Sequence, residues 1–172
     1  NSSSLDEMRT VDFYVSHEGL LLEYEEALTR VDSLSNKWVA GSGHMIWIGD
    51  RTRQPDGAHV DFCAGIMNPI GLKCGPTTTA EDLKVLMNKL NPDNEEGRLT
   101  LIARFGADHV QDHLPRLIET VKSEGANVVW VCDPMHGNTT KSSTGYKTRK
   151  FESVLGEVRE FFKTHRDMGT VA

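Results

Sequence analysis

The sequence predicts an α/β protein built on a parallel β-sheet. Short apolar segments alternate with segments whose apolar residues recur at the period of an α-helix, and polar turn residues separate the two kinds. The apolar segments are almost unbroken, which is typical of parallel strands covered on both faces. We therefore expect parallel strands joined by right-handed crossovers, in either a barrel or an open sheet.

The first half of the chain contains three predicted strands and two predicted helices. Strand 11–15 is followed by an apolar stripe from Leu20 to Val31, which predicts a helix. Strands 45–48 and 66–72 come next, without a recognisable helix between them. Residues 78–81 (Thr-Thr-Ala-Glu) then form a capping box, which starts a helix whose stripe runs from Leu83 to Leu90.

The second half repeats the strand and helix pattern. Strand 99–103 precedes a stripe over 110–121, and Gly125 suits the C-cap of that helix. Because Pro115 interrupts the stripe, we expect the helix to begin there, after a short turn at 107–113. The order closes with strand 128–132, a polar loop at 138–144 and a final helix whose stripe covers 151–162.

Composition describes one globular domain of 172 residues, with 19 Lys+Arg against 25 Asp+Glu and a net charge of −6. No stretch approaches the ~20 apolar residues of a membrane span, and the acidic balance disfavours nucleic-acid binding. Cys63, Cys74 and Cys132 are an odd set without a Cys-x-x-Cys pair, which argues against a disulfide framework. We therefore expect a cytoplasmic protein without membrane or nucleic-acid partners, in which Cys74 and Cys132 are packing residues.

A polar or charged residue follows nearly every predicted strand. These residues are His17 with Glu18, Asp50 with Arg51, Lys73, Arg104, and Asp133 with His136. The carboxyl ends of parallel strands meet at one edge, where both barrels and open sheets bind ligands. We therefore expect a site at this edge.

The residue types at this edge indicate an anion as ligand. Arg51, Lys73, Arg104 and Lys147 are cations next to the strand ends, and such side chains suit phosphate or carboxylate. Arg53 and Arg149 are predicted to be solvent-exposed charges. His136 is a candidate metal ligand as a neutral imidazole, and Gly137 would allow a ligand to approach it closely.

Eight segments of the chain, in order, resemble class II 3-deoxy-D-arabino-heptulosonate 7-phosphate (DAHP) synthases. They are DFYVSHEG (12–19), IWIGDRTRQ (46–54), DGAHV (56–60), NPIGLK (68–73), IARFG (102–106), DPMHGNT (133–139), KTR (147–149) and HRDMGT (165–170). The resemblance implies a (β/α)8 TIM barrel, of which residues 1–172 form a single partial domain with roughly the middle five strands. It also implies condensation of phosphoenolpyruvate with erythrose 4-phosphate to DAHP and phosphate, the first step of the shikimate pathway.

The resemblance further implies a role for each matching residue. Lys73 and Arg104 match catalytic positions that, with Arg51, hold phosphoenolpyruvate, and Lys147 matches a position that holds the phosphate of erythrose 4-phosphate. His136 matches a ligand of a divalent metal, often manganese or cobalt. Asp50 stands where the family has Glu, at a position whose backbone is implicated in phosphoenolpyruvate binding. The implied enzyme is a homo-oligomer when intact, located in the cytoplasm or, in a plant, in the plastid.

Five strands cannot close a barrel, which needs ~250 residues. We therefore expect this stretch to be part of a longer enzyme and to be inactive alone. Two alternatives remain open at this point. One is a non-catalytic phosphate-binding module with an open sheet, and the other is a regulatory paralogue in which Asp50 marks lost catalysis.

Overall fold

The computed structural model describes residues 12–172 of the chain. Its elements, in chain order, are β1 (Ser16–Glu18), α1 (Leu22–Ala27), β2 (Thr29–Val31), β3 (Trp38–Ala40), β4 (Met45–Ile48), α2 (Ala58–Gly65), β5 (Ile70–Cys74), α3 (Ala80–Leu90), β6 (Leu99–Ala103), α4 (Val110–Glu124), β7 (Val129–Cys132), β8 (Thr139–Lys141), β9 (Lys147–Arg149) and α5 (Phe151–Asp167). None of the helices in this range combines the length and the apolar character that crossing a membrane requires.

A five-stranded parallel sheet organises the chain. Its strand order is β1-β4-β5-β6-β7, and every neighbouring pair runs parallel. Two antiparallel hairpins, β2–β3 and β8–β9, lie outside this sheet. The predicted α/β class and parallel sheet are therefore confirmed.

The hydrophobic core lies on one face of this sheet, where helices α2 to α5 pack. Residues from the strands and the helices form one buried cluster, which includes Ile46, Ile48, Ile70, Leu72, Leu99, Leu101, Leu83, Leu86, Leu114, Ile118 and Phe161. Successive strand residues point to opposite faces, so Met45, Trp47 and Val131 lie on the other face, where they are half-buried or exposed. Within residues 12–172 the helices pack on the core face, and the apolar side chains of the second face have no helix above them.

The predicted strand bounds near the N-terminus are wrong. The first strand is Ser16–Glu18, which pairs with β4, whereas residues 12–15 are exposed and Val11 lies outside the described residues. The strand predicted at 66–72 begins only at Ile70. Asn68 instead bonds the backbone of Ala40, and Pro69 has no N–H for the ladder.

Two helices also differ from the predictions in this half. The first helix ends at Ala27, since Thr29 and Val31 belong to a strand, as suits β-branched residues. Helix α2 was not predicted because it shows no amphipathic stripe: only Val60 and Cys63 are buried in it. Such a helix has no sequence signal at the helical period.

Of the two predicted helix caps, one is wrong and the other is confirmed. Thr79, not Thr78, caps α3, since its Oγ1 accepts from the Asp82 N–H at 3.0 Å. Helix α4 runs unbroken from Val110 through Pro115, so the predicted start at Pro115 is wrong. The carbonyl that the missing N–H would have bonded belongs to the exposed Gln111 and can bond water. Gly125 does cap α4, with a left-handed φ of 60°.

The polar segment 138–144, predicted as a loop, instead enters the β8–β9 hairpin. Strands β4 and β6 have the predicted bounds, and β7 begins one residue later than predicted. These strands set the positions of the residues that follow them.

Candidate active site at the carboxyl edge of the sheet

A cleft of about 340 Å³ lies at the carboxyl ends of the five parallel strands. Its lining consists of Glu18, Trp47, Gly49, Asp50, Arg51, Lys73, Arg104, Asp133 and His136. Of the predicted site residues, the structure brings Asp50, Arg51, Lys73, Arg104 and His136 together here. Lys147 does not line the cleft.

The parallel ladder places these side chains beside one another. Beyond the last paired residues of β6, the Arg104 N–H donates to the Cys74 carbonyl at 2.8 Å. Beyond the end of β7, the Asp133 N–H donates to the Ala103 carbonyl at 2.7 Å. Arg104 and Asp133 are therefore held at adjacent strand ends, although 29 positions separate them in the sequence.

Lys73, Asp133 and His136 form a charged chain across the cleft. Lys73 Nζ lies 2.5 Å from Asp133 Oδ2, and His136 Nδ1 lies 2.6 Å from the same oxygen. Burial alone would raise the pKa of Asp133, but the hydrogen bond and charge of Lys73, with help from His136, hold that pKa below its usual 3.8. An ionised carboxylate only accepts, so Nδ1 of His136 is the donor and Nε2 remains available to a ligand.

A second carboxylate, Asp50, holds Arg104. Arg104 Nη1 donates to Asp50 Oδ2 at 2.9 Å, and Arg104 Nη2 donates to the His136 carbonyl at 3.1 Å. Arg53 lies behind this pair, where its Nε donates to Asp50 Oδ1 at 3.3 Å and its Nη2 donates to Thr77 Oγ1 at 2.7 Å. The prediction that Arg53 is solvent-exposed is wrong, because these two acceptors make its burial possible.

The arrangement can bind an anion. Arg104 and Lys73 each have further N–H groups that no acceptor among residues 12–172 occupies. Arg51 is exposed at the mouth of the cleft. Arg104 and Lys73 are thus oriented by carboxylates and retain donors for a ligand, which is the geometry that phosphate or carboxylate recognition requires.

Glu18, which was expected at this edge, and Trp47, which the sequence did not indicate, complete the wall. The Trp47 ring lies under Lys73 Nζ, 5.6 Å from its centroid, at a distance that permits a cation–π contact. Strand alternation offered a signal, since Trp47 sits between the buried Ile46 and Ile48 and so faces the side opposite to the core.

The β8–β9 hairpin carries the remaining predicted cations. Lys147 is exposed at the start of β9, outside the lining of the cleft. Arg149 is half-buried rather than solvent-exposed as predicted, because its Nε donates to the Met135 carbonyl at 3.0 Å. That bond attaches the hairpin to the loop that contains His136.

Cys74 and Cys132 are packing residues, as predicted, and Cys63 is buried in the core as well. Cys63, Cys74 and Cys132 are free thiols, and Cys74 is fully buried. Burial raises the pKa of Cys74 to about 12 and that of Cys132 to about 12. A thiol with so high a pKa forms little thiolate, so neither cysteine is suited to nucleophilic chemistry.

The donors for a metal ion are incomplete in this stretch. Among residues 12–172, no three His, Cys, Asp or Glu side chains cluster in a way that could hold a metal. His136 fits the role of one ligand, because a carboxylate that bonds the second ring nitrogen orients the imidazole, as in many metal sites. Gly137 makes room for Gly106, because a Cβ at position 137 would clash with the backbone nitrogen of Gly106.

Comparisons with known proteins show the family of this chain. The sequence model of the class-II DAHP synthetase family matches residues 1–172. A phospho-2-dehydro-3-deoxyheptonate aldolase of Streptomyces coelicolor is 54% identical over 164 residues, which are 95% of this chain and 36% of that protein. A probable chloroplastic phospho-2-dehydro-3-deoxyheptonate aldolase of Catharanthus roseus is 50% identical over 95% of this chain and 33% of its own length. The aldolase AroG of Mycolicibacterium smegmatis is 49% identical over 95% of this chain and 36% of its own length. The chain thus spans about a third of the length of these curated relatives.

Proposed function

The chain belongs to the class-II DAHP synthetase family, and we propose that the protein containing it condenses phosphoenolpyruvate with erythrose 4-phosphate to DAHP and phosphate. The observation that supports this most is the cleft, in which two cations with spare donors, Arg104 and Lys73, are each held by a carboxylate. The names of the relatives give the same activity.

The fold that goes with this proposal is a (β/α)8 barrel, to which residues 1–172 contribute five strands of a single domain. Two features support it. The five parallel strands follow one another in chain order, and within residues 12–172 the helices cover one face of the sheet and not the other. A doubly wound sheet would have helices on both faces, whereas a barrel has them outside only.

Phosphoenolpyruvate is assigned to the cations of the cleft. Arg104 presents a planar fork that suits a carboxylate or phosphate, and Lys73 adds a compact charge beside it. Arg51, which is exposed at the mouth of the cleft, is assigned to the solvent-facing oxygens of the phosphate group of phosphoenolpyruvate. Asp50 acts through Arg104, which it holds at 2.9 Å. An Asp reaches this guanidinium, so the absence of the family's Glu at this position does not remove the ion pair.

A divalent metal ion, manganese or cobalt, is assigned to His136 together with ligands from outside residues 12–172. When bound, the ion supplies Lewis acidity toward the aldehyde of erythrose 4-phosphate. Asp133 orients both residues, because its Oδ2 accepts a hydrogen bond from the His136 ring and another from Lys73. The metal-binding and phosphoenolpyruvate-binding residues therefore share one carboxylate.

Erythrose 4-phosphate is assigned to the side of the cleft nearest the β8–β9 hairpin, with Lys147 holding its phosphate. The hairpin is attached near His136 by the bond from Arg149 to Met135. Carbon 3 of phosphoenolpyruvate then forms a bond to the aldehyde carbon, and the aldehyde oxygen takes up a proton to become a hydroxyl. Water adds to carbon 2 and releases a proton, after which the bond from carbon 2 to the phosphate oxygen breaks, so that inorganic phosphate leaves and carbon 2 becomes the keto group of DAHP. Arg104 and Lys73 hold phosphoenolpyruvate during both additions and offset its negative charge.

The test is a DAHP assay on the full-length protein with manganese, with a chelator, and with manganese restored. We expect activity that the chelator abolishes and manganese recovers. Binding of phosphoenolpyruvate without any DAHP formation would reject the proposal. That result would favour a phosphate-binding module or a regulatory paralogue instead.

A further inference from the structure

Glu157 is a fully buried carboxylate that the proposed reaction does not use. It lies on α5, below the cleft, and accepts two hydrogen bonds. The backbone N–H of Phe105 donates to its Oε1 at 2.7 Å, and Asn138 Nδ2 donates to its Oε2 at 2.7 Å. Burying a carboxylate without hydrogen-bond donors would destabilise the fold, so the two donors stabilise Glu157 in its buried position.

The two donors belong to the two loops that bear cleft residues. Phe105 directly follows Arg104 at the end of β6, and Asn138 lies two residues after His136 beyond β7. Asn138 ties the loops further, since its Oδ1 accepts from the Ala107 N–H at 3.0 Å and its Nδ2 also donates to the Pro134 carbonyl at 2.8 Å. One carboxylate and one amide therefore fix both loops to the same helix.

The loops are also packed directly against each other. Gly106 has a positive φ of 91°, and a Cβ there would lie 2.7 Å from the Gly137 carbonyl oxygen. Across the same contact, Arg104 Nη2 reaches the His136 carbonyl. Because the packing leaves no room for a methyl group, a shift of one loop must shift the other.

We propose that Glu157 is a positioning residue, which holds the loops of Arg104 and His136 in register so that phosphoenolpyruvate and the metal ion bind at the correct separation. This role rests on the proposed function, although Glu157 contacts neither ligand. An alternative is that Glu157 only stabilises the fold. The two roles differ in what a mild substitution does to the folded protein.

Glu157→Gln in the full-length protein is that mild substitution. The Gln oxygen can still accept from Phe105, but its amide then faces the Asn138 amide, donor against donor. We expect the KM for phosphoenolpyruvate and the dissociation constant for manganese each to rise about tenfold or more, as for other groups that orient metal ligands. Glu152→Gln, on the exposed first turn of the same helix, is the control and should leave both constants unchanged.

A reversed pair tests whether the link itself matters. In Glu157→Gln with Asn138→Asp, the amide of position 157 donates and the carboxylate of position 138 accepts, so part of the lost binding should return. If Glu157→Gln does not fold, Asn138→Ser breaks the same link from the loop side and receives the same measurements. Loss of thermal stability with both constants unchanged would overturn the proposal.

Hydrogen–deuterium exchange tests the positioning role of Glu157 independently of the proposed DAHP synthase activity. In Glu157→Gln, amides of residues 105–107 and 135–138 should exchange about tenfold faster or more, whereas those of Glu152→Gln should not. A full-length wild type that neither binds phosphoenolpyruvate nor forms DAHP would reject the function alone. Unchanged exchange at these loops would reject the positioning role alone.

Discussion

Asp50 and Asp133 act in the same way at different strand ends of the cleft. Each accepts from a cation that keeps further donors, Arg104 in one case and Lys73 in the other. A carboxylate that orients a cation lowers the rotamer freedom that ligand binding would otherwise remove. Replacing either aspartate is therefore expected to weaken binding through its partner.

Arg104 provides the sharpest prediction for phosphoenolpyruvate. Arg104→Ala in the full-length protein should lower kcat/KM for phosphoenolpyruvate by the equivalent of about 2–5 kcal/mol, the cost of leaving a buried charge without its partner. Arg116→Ala, on the exposed face of α4, is the matched control. Steady-state kinetics with phosphoenolpyruvate varied would decide it, and a change within twofold would refute the assignment of Arg104.

His136 and Lys73 should separate metal binding from substrate binding. His136→Ala is expected to lower bound manganese and activity together, since it removes the nitrogen proposed as a metal ligand. Lys73→Met should leave the metal content intact and raise the KM for phosphoenolpyruvate. Metal analysis of both purified variants makes the comparison, and full manganese occupancy in His136→Ala would contradict the metal assignment.

At the scale of the elements, α5 is held to the sheet by a buried histidine near its end. His165 is only 2% exposed, and its ring packs against Phe161 and Trp130 at centroid distances of 4.7 and 5.4 Å. Its Nδ1 shares a hydrogen bond with Thr170 Oγ1 at 2.8 Å, while Nε2 has no partner among residues 12–172. Burial lowers the pKa of His165 below its usual 6.5.

This burial predicts acid destabilisation of α5. Because the pKa of His165 is lower in the folded state than in the unfolded state, the folded protein binds fewer protons at acidic pH. The contribution of neutral His165 to the free energy of unfolding is therefore complete above pH 6.5. It is lost as the pH falls through the folded pKa. His165→Phe keeps an aromatic ring but cannot titrate, and should flatten the fall in thermal midpoint below pH 6.5. His109→Gln, at an exposed position, serves as control. Identical pH profiles for wild type and His165→Phe would show that His165 does not cause the acid destabilisation.

The elements differ in how far the sequence could predict them. Strands β4 and β6 are apolar apart from Thr100, so their bounds followed from the sequence directly. In contrast, β1 consists of Ser16, His17 and Glu18, and pairing with β4 makes it a strand. Pro115 favours a helix start in general, but here the packing of Leu114 and Ile118 in the core extends the helix through it.

At the scale of the whole molecule, the candidate site was predictable to the extent that it depends on strand ends. Asp50, Lys73, Arg104 and His136 converge because a parallel sheet collects residues from distant parts of the chain at one edge. Glu157 could not be found in this way, since an isolated Glu on an amphipathic helix is expected at the surface. Its partners are 19 and 52 positions away in sequence, and only the folded chain brings them to it.

The sheet itself supports the last prediction, which concerns residues 1–172 expressed alone. Within the described residues, β1 and β7 are the two edge strands of the parallel sheet, and Val129 and Val131 of β7 are 46% and 39% exposed. Unpaired edges and apolar side chains favour pairing with another copy. We therefore expect the isolated stretch to self-associate, to bind a hydrophobic dye and to make no DAHP.

One substitution on the edge strand β7 and one on helix α3 test whether the open edge causes the self-association. Val131→Lys places a charge on the edge strand and should reduce association, whereas Val85→Lys, at a 44% exposed position on α3, should not. Size-exclusion chromatography and dye fluorescence give the readout. A wild-type stretch that is monomeric and unfolds sharply and reversibly would contradict the prediction, because the open edges would then need no cover, and it would favour an autonomous open-sheet module over a barrel segment.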